Sequence, residues 1–196
     1  MKFKQKEVSS IMKILAVNGS ARDFGNSYNI LNSCLNSFDK NNNMTELVQL
    51  SELQIKSCTS CYSCKSPGNP CVIQDDISTV NNKILESDLL IISSPIYMWQ
   101  ISALTKIFME RLYPLYHFDK PSELSGKKLI LIFTQAAPDE NMFNSYFEHV
   151  KASMIFLGFD VIDIIVVPGL RMPTDYEKFP DIPNKIKSLI GREFLL

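Results

Sequence analysis

The sequence predicts an α/β protein in which a five-stranded parallel sheet is covered by helices on both faces. Short apolar runs alternate along the chain with segments whose apolar residues recur at helical spacing. Several of these runs are continuously apolar, as in strands that are buried on both faces. Strands that alternate with helices pack as a parallel sheet between two helical layers. The 196 residues suffice for one such domain with a substantial core.

Five short segments rich in Ile, Leu and Val are predicted to be the strands. In chain order they are Ile14–Val17, Thr45–Leu50, Asp88–Ser93, Lys128–Thr134 and Val161–Val167. The second segment alternates between apolar and polar residues, whereas the third contains the continuous run Leu-Leu-Ile-Ile. Both patterns are typical of strands rather than of helices.

The segments that separate and follow these strands are predicted to be helices. Their ranges are Asn26–Phe38, Ile77–Glu86, Ser102–Tyr116, Glu140–Leu157 and Ile182–Ile190. The first helix places Ile30, Leu31, Cys34, Leu35 and Phe38 on one face. The second follows the pair Asp75-Asp76, whose negative charges suit the positive end of a helix dipole.

This element order predicts a flavodoxin-like sheet with the strand order 2-1-3-4-5. In that layout a ligand lies beyond the carboxyl ends of the first and third strands. Residues 12–196 are expected to form the single domain, with a cysteine-rich loop inserted at 57–72, and residues 1–11 a flexible N-terminal extension.

Composition argues against several classes of partner. The net charge is −1 and no long basic run occurs, so nucleic acid and anionic membrane surfaces are not expected partners. No apolar stretch is long enough to span a bilayer. Met1–Ser10 is polar and lacks the apolar centre of a secretory signal, so a cytoplasmic location is expected.

The loop after the first strand has the composition of a phosphate site. A strand, a loop of small residues and a helix start place free N–H groups and a helix dipole against an anion. The loop lacks the lysine of a nucleotide P-loop, and its two glycines are too far apart for a dinucleotide fingerprint. Hydroxyl and amide donors suit a phosphate monoester such as that of FMN; the alternative is an ordinary capped turn. The predicted ligands are Ser20, Arg22, Gly25, Asn26, Ser27 and Tyr28.

Two further loops are predicted to meet the flat ring of such a ligand. The third strand leads into a segment with the only tryptophan of the chain, and aromatic and thioether groups can stack on an isoalloxazine ring. The alternative is an apolar loop that packs into the core or a dimer interface. The loop after the fourth strand approaches the same place. The predicted ring contacts are Pro95, Ile96, Tyr97, Met98, Trp99, Thr134, Gln135 and Ala136.

Four of the five cysteines form the compact pattern Cys58-x2-Cys61-x2-Cys64-x6-Cys71. Two successive C-x-x-C steps followed by a more distant cysteine resemble the way ferredoxins hold a [4Fe–4S] cluster. Zinc sites usually separate two C-x-x-C pairs by a longer spacer. A zinc site and free thiols without metal remain the alternatives. The fifth, Cys34, is expected to be a core residue.

Together these segments resemble the flavodoxin-like NADPH-dependent FMN reductase family, in particular its iron–sulfur flavoprotein branch. The resemblance covers roughly Lys13 to Thr134. It is carried by Gly19-Ser20-Ala21-Arg22 with Gly25-Asn26-Ser27, by Cys58–Cys71 with Asp75-Asp76 behind it, and by Ser94-Pro95-Ile96-Tyr97 leading into Ser102-Ala103-Leu104-Thr105-Lys106 and Glu110-Arg111. One departure is the bulky pair Met98-Trp99, where many relatives carry small residues.

The resemblance implies an FMN-binding oxidoreductase that passes electrons from NAD(P)H or reduced ferredoxin to an acceptor, through a [4Fe–4S] cluster if the cysteines hold one. It also implies a homodimer or homotetramer in which the cluster loop lies near the flavin of a neighbouring subunit. The flavin carries the chemistry, so no catalytic side chain is predicted. Two other functions stay open: a flavodoxin-like electron carrier without enzymatic activity, and a flavin-binding module that is metal-free or stapled by zinc.

Overall fold

Six strands and five α-helices follow one another along residues 11–194, the part of the chain that the computed structural model describes, and they alternate except where β4 follows β3 directly. The strands are β1 (Met12–Asn18), β2 (Asn43–Gln49), β3 (Leu89–Tyr97), β4 (Gln100–Ile101), β5 (Lys128–Thr134) and β6 (Asp160–Val167). The helices are α1 (Asn26–Asn36), α2 (Ile77–Glu86), α3 (Ala103–Glu110), α4 (Asn144–Leu157) and α5 (Ile182–Glu193). The predicted N-terminal extension, apart from Ile11, lies outside the described residues.

The five long strands are all parallel and lie in the order β2-β1-β3-β5-β6. The predicted count of five strands was wrong, because β4 pairs antiparallel with the end of β3 and makes a sixth. The turn between β3 and β4 consists of Met98 and Trp99, both with positive φ. Such turns usually contain Asn or Gly, so the sequence gave no sign of a hairpin here.

The core consists of two apolar layers, one on each face of the sheet. Side chains alternate along β1: Leu15 and Val17 join the cluster under α2, α3 and α4, whereas Ile14 and Ala16 join the cluster under α1 and α5. Because both faces are covered, the central strands carry the continuous apolar runs Ile14–Val17, Leu89–Ile92 and Leu129–Phe133. The predicted three-layer arrangement is therefore present.

Four helices differ in length from their predicted ranges, and the differences are largest for α3 and α4. The predicted helix Ser102–Tyr116 ends at Glu110, and the chain continues into a 3-10 turn at Tyr113–Leu115. Pro114 lies in that turn, and proline disfavours a helical residue before it. The helix predicted from Glu140 begins at Asn144. No helix within residues 11–194 is long and apolar enough to cross a membrane.

Candidate functional site

A cleft of about 310 Å³ opens where the parallel strands end. It is bounded by the loops after β1, β5 and β6 and by the last residues of β3, which the topology brings to one edge of the sheet. Its lining is Ser20, Arg22, Gly25, Asn26, Ser27, Pro95, Ile96, Tyr97, Thr134, Gln135, Ala136, Leu170 and Arg171. The structure therefore brings residues of all three predicted segments to one cleft and adds the loop after β6.

The loop after β1 is fixed by close packing at Gly19. Its N–H donates to the Ser93 carbonyl at 2.8 Å, and the Ser102 hydroxyl donates to its carbonyl at 2.6 Å. A Cβ atom at this position would lie only 1.8 Å from Thr105 Oγ1. Only glycine lets the loop pack this closely against the start of α3.

Ser20 follows and is held by its backbone, which leaves its hydroxyl proton free. Its N–H donates to Asn18 Oδ1 at 3.1 Å, and its carbonyl accepts from Gln49 Nε2 at 2.8 Å. The hydroxyl oxygen accepts from the Arg22 N–H at 3.1 Å. The hydroxyl can therefore donate its own proton to a ligand in the cleft.

The N-terminus of α1 faces the same place without a cap. Gly25 occupies the N-cap position, no side chain caps the helix, and no acidic residue lies in its first turn. Within the described residues no acceptor meets the N–H groups of Asn26, Ser27 or Tyr28. These donors, the helix dipole and the exposed guanidinium of Arg22 make an anion site.

The Asn26 side chain does not act as the free amide donor that the sequence suggested. Its Nδ2 donates to the Met172 carbonyl at 2.9 Å, and its Oδ1 accepts from the Tyr176 N–H at 3.0 Å. Ser27 also has an internal partner, since its hydroxyl lies 2.8 Å from Thr134 Oγ1. Asn26 thus offers the cleft its backbone N–H, and its side chain anchors the loop after β6.

Another part of the cleft lining carries a hydrogen-bond acceptor that no protein donor among residues 11–194 meets. Pro95, Ile96 and Tyr97 form one side, and the buried Gln135 forms another. Gln135 Nε2 donates to the carbonyls of Ala137 and Asp139, but no donor among residues 11–194 meets its Oε1. An N–H or O–H group of a ring ligand could donate a hydrogen bond to this buried, unsatisfied oxygen.

Three predicted ring or phosphate contacts do not line the cleft. Met98 is 83% exposed and Trp99 is 62% exposed at the tip of the β3–β4 turn. Tyr28 instead packs edge-to-face against Phe24, with ring centroids 5.3 Å apart. Met98 and Trp99 therefore neither line the cleft nor pack into the core of this protomer.

The sequence reasoning missed Leu170 and Arg171, which lie in the loop after β6 and line the cleft. Asp175 shapes this loop: its carboxylate accepts from Lys178 and from the N–H groups of Met172 and Arg171. These hydrogen bonds lower the pKa of Asp175 to about 2, and the one from Lys178 has the largest effect. The position of the loop at the carboxyl end of a parallel strand was the signal that could have identified it.

The four loop cysteines line a second, smaller cavity of about 50 Å³. Ser60 and Tyr62 have φ of 52° and 58°, and these left-handed residues bend the chain between Cys58 and Cys64. Cys34, by contrast, is a fully buried residue of α1, as expected. The topology thus brings together the four thiols that the spacing singled out.

The arrangement of the thiols bears on which metal group they fit. Within the described residues, no three or more His, Cys, Asp or Glu side chains are placed to hold a single metal ion. A zinc site needs its thiolates at about 2.3 Å from one point. In a [4Fe–4S] cube each thiolate binds a different iron, so the sulfurs stand farther apart. Thiolates are the ligands of a [4Fe–4S] cluster, and all four loop thiols line one cavity, so the residue types present suit such a group.

A buried ion pair closes the base of the cysteine loop. Asp75 and Arg111, each with a side chain only 2% exposed, form a bidentate ion pair. Arg111 Nη1 donates to Asp75 Oδ2 at 2.5 Å, and Nη2 donates to Oδ1 at 3.0 Å. The same carboxylate also holds the start of the cysteine loop, because the Lys56 N–H donates to Asp75 Oδ2 at 2.9 Å. Burial opposes ionisation of Asp75, yet the hydrogen bonds from Arg111 and Lys56 hold the pKa of this carboxyl below its usual range. Asp75 is therefore not only a helix-start acid.

Helix α3 links the two sites. Ser102 at its N-cap contacts the loop after β1, and Arg111 at its C-cap holds the cysteine loop. At 1.5 Å per residue these two positions lie about 13 Å apart along the helix axis. The cleft and the cysteine cavity therefore lie at opposite ends of one short rigid element.

Comparison with known proteins gives consistent matches. Residues 12–163 match the model of a family described as NADPH-dependent FMN reductase. An iron-sulfur flavoprotein of Archaeoglobus fulgidus is 29% identical over 178 residues, covering 89% of this chain and 79% of that protein. The iron-sulfur flavoprotein of Methanocaldococcus jannaschii is 34% identical over 104 residues, and the match covers 53% of each chain.

Solved structures support the fold. An FMN-dependent NADH-azoreductase from Bacillus anthracis, determined with FMN, superposes with a TM-score of 0.66 at 15% identity, covering 92% of this chain and 98% of that one. An NAD(P)H:quinone oxidoreductase from Methanothermobacter marburgensis gives a TM-score of 0.66 at 14% identity, covering 95% and 98%. At these identities the likeness concerns the fold alone.

Proposed function

The chain belongs to the NADPH-dependent FMN reductase family and is an NAD(P)H-dependent FMN oxidoreductase, and we propose that it delivers electrons from FMN to an acceptor through a [4Fe–4S] cluster. The observation that carries the FMN part is the cleft that combines an uncapped helix N-terminus with the apolar side chains of Pro95, Ile96 and Tyr97. One end of the cleft suits a dianionic phosphate and the other suits a ring.

The residues that would hold FMN follow from this geometry. The Ser20 hydroxyl, the Arg22 guanidinium and the first N–H groups of α1 would bind the phosphate, and Arg171 adds a second positive charge at the cleft. Pro95–Tyr97 would face the ring, and Gln135 Oε1 would accept a hydrogen bond from it. FMN held by these residues would supply flavin chemistry, namely uptake of a hydride as two electrons and their release one at a time.

The cluster part rests on the cysteine cavity. Cys58, Cys61, Cys64 and Cys71 would each bind one iron, and the supporting observations are their shared cavity and their spacing. The two relatives named above are themselves described as iron-sulfur flavoproteins. The Asp75–Arg111 pair would keep the loop closed around the group.

Assembly into a homodimer or homotetramer is part of the proposal. Tyr97, Met98 and Trp99 form an exposed apolar tip beside the cleft, where a second copy would shield a bound ring from water. Light scattering after size exclusion tests this, with a dimer or tetramer expected. A monomer at all concentrations would contradict it.

Anaerobic purification followed by visible spectroscopy, metal analysis and flavin extraction tests the cofactors. We expect about one FMN and about four iron atoms per chain. Zinc without iron would contradict the cluster, and a colourless protein that does not take up added FMN would contradict the oxidoreductase itself.

The electron donor is tested by following the flavin absorbance. Bleaching by NADPH without a partner protein is expected of the enzyme. Bleaching by reduced ferredoxin alone would contradict the use of a nicotinamide donor and would favour the electron carrier. NADH and NADPH are compared in the same assay.

A further inference from the structure

Arg111 has one hydrogen-bond donor that the ion pair does not use. Its two terminal nitrogens donate to Asp75, to the Lys56 carbonyl at 2.8 Å and to the Ile73 carbonyl at 3.3 Å. Its Nε is buried and has no acceptor among residues 11–194. A buried, charged N–H without a partner is costly unless a ligand group satisfies it.

The unused donor lies beside the cysteine cavity. Arg111 lines that cavity together with all four loop cysteines. Burial lowers the pKa of Arg111, its hydrogen bond and charge interaction with Asp75 raise it, and the Cys71 thiol raises it further. Arg111 and Cys71 thus line the same small cavity, where the unused Nε–H and the Cys71 sulfur are neighbours.

We propose that Arg111 is a positioning residue for the iron–sulfur group, whose Nε–H donates a charge-assisted hydrogen bond to the Cys71 sulfur. This inference rests on the proposed cluster. Asp75 fixes the guanidinium plane from one side, so that the remaining N–H points in a set direction. Hydrogen bonds to the ligand sulfurs stabilise the more negative, reduced form of a cluster and so raise its reduction potential.

Lysine cannot replace arginine in this role. Arginine supplies five donors in a rigid planar fork, of which four are used by Asp75 and two backbone carbonyls. The ammonium group of Arg111→Lys keeps the positive charge but has three donors. That variant therefore separates the hydrogen bond from the charge.

The direct test uses the wild-type protein and needs no variant to fold. Protein labelled with ¹⁵N-arginine is reduced under anaerobic conditions and examined by pulsed EPR for ¹⁵N hyperfine coupling to the cluster. The chain contains four arginines, and only Arg111 lines the cysteine cavity. A coupling is expected in the wild type and should be absent from Arg111→Lys. A reduced wild-type cluster without ¹⁵N coupling would overturn the inference.

A redox titration supplies the second test. Arg111→Lys is expected to make reduction of the cluster about tenfold less favourable, which for one electron is a midpoint shift of about −59 mV. Lys106→Gln, on the exposed side of α3, is the matched control and should leave the potential unchanged. An intact cluster with an unshifted potential in Arg111→Lys would refute the role. A wild-type protein without iron would instead refute the proposed cluster, so the two failures are distinct.

Discussion

Replacing Gly19 with alanine should be among the most damaging small substitutions in this chain. The new Cβ would lie 1.8 Å from Thr105 Oγ1, 3.1 Å from Thr105 Cβ and 3.3 Å from Ser102 Oγ. Neither side chain can turn away freely, because Thr105 Oγ1 bonds to Ser94 Oγ at 3.0 Å and Ser102 Oγ bonds to the Gly19 carbonyl at 2.6 Å. Overpacking of this kind costs about 1–3 kcal/mol, and loss of the Ser102 bond adds about 1 kcal/mol. We therefore expect a loss of about 2–4 kcal/mol in the free energy of unfolding.

A double-mutant cycle tests the cause of that loss. Thr105→Ala removes the closest atom and leaves a Cβ at 3.1 Å, a contact that a small shift relieves. Gly19→Ala should therefore cost about 1–2 kcal/mol less in the Thr105→Ala background than in the wild type. Urea unfolding of the four flavin-free proteins measures the coupling.

Gly191 provides the matched control for this cycle. It lies within α5 and a Cβ there would meet no atom within 4 Å, so alanine should stabilise the protein by about 0.5–1 kcal/mol. Strictly additive effects of the Gly19 and Thr105 substitutions, or a Gly19→Ala protein as stable as the wild type, would refute the packing argument. Gly19→Ala should also weaken FMN binding, because Ser20 moves with the loop.

The remaining predictions concern the anion site, the thiols and the loop after β6. Ser20→Ala combined with Arg22→Ala should weaken FMN binding by about 100-fold in isothermal titration, because a charged and a neutral donor are lost. Cys61→Ser should lose iron but keep flavin, whereas Cys34→Ala should keep both, since Cys34 lies in the core. Burial raises the pKa of Cys34 to about 12, so its thiol should resist alkylation in the native metal-free protein at pH 8, while the loop thiols react. Asp175→Asn should lower the urea midpoint of unfolding. Folding lowers the pKa of this carboxyl from 3.8 to about 2. The stability that the ionised carboxylate gives the wild type over the variant is therefore complete above about pH 4 and is lost as the pH falls through about 2.

Each of these predictions has an outcome that would contradict it. Unchanged FMN affinity in the double variant would exclude the loop after β1 as the phosphate site. Iron retained by Cys61→Ser, or lost from Cys34→Ala, would contradict the ligand assignment. Rapid native alkylation of Cys34 would contradict its burial, and an Asp175→Asn midpoint difference that grows on acidification would reverse the sign of the linkage.

Local patterns in the sequence were sufficient for most of the sheet. Continuous apolar runs, and the alternating pattern of the second strand, are local signals, so all five parallel strands could be located. The β3–β4 hairpin could not be predicted, because Met98 and Trp99 occupy a left-handed turn that their residue types do not favour. The early end of α3 could have been predicted from the sequence, because Pro114 lies within the segment predicted to be helical.

The site was predictable where one loop contains all its parts and unpredictable where distant segments meet. The loop after β1 carries its own small residues, hydroxyls and helix start, so Ser20 and Gly25 could be identified from local sequence. The Asn26 side chain was misjudged because its partners, Met172 and Tyr176, lie about 150 residues away. The Asp75–Arg111 pair is likewise a long-range contact, and no periodic pattern marks it.

The most direct test of the central claim is the difference in affinity between FMN and riboflavin for the flavin-free protein. The two ligands share the ring and differ in the phosphate that the uncapped N-terminus of α1, Ser20 and Arg22 are argued to bind. Isothermal titration should show FMN binding about 100-fold more tightly, a difference of about 2.7 kcal/mol. Equal affinities, or no binding of either ligand, would contradict the assignment of the cleft as the FMN site.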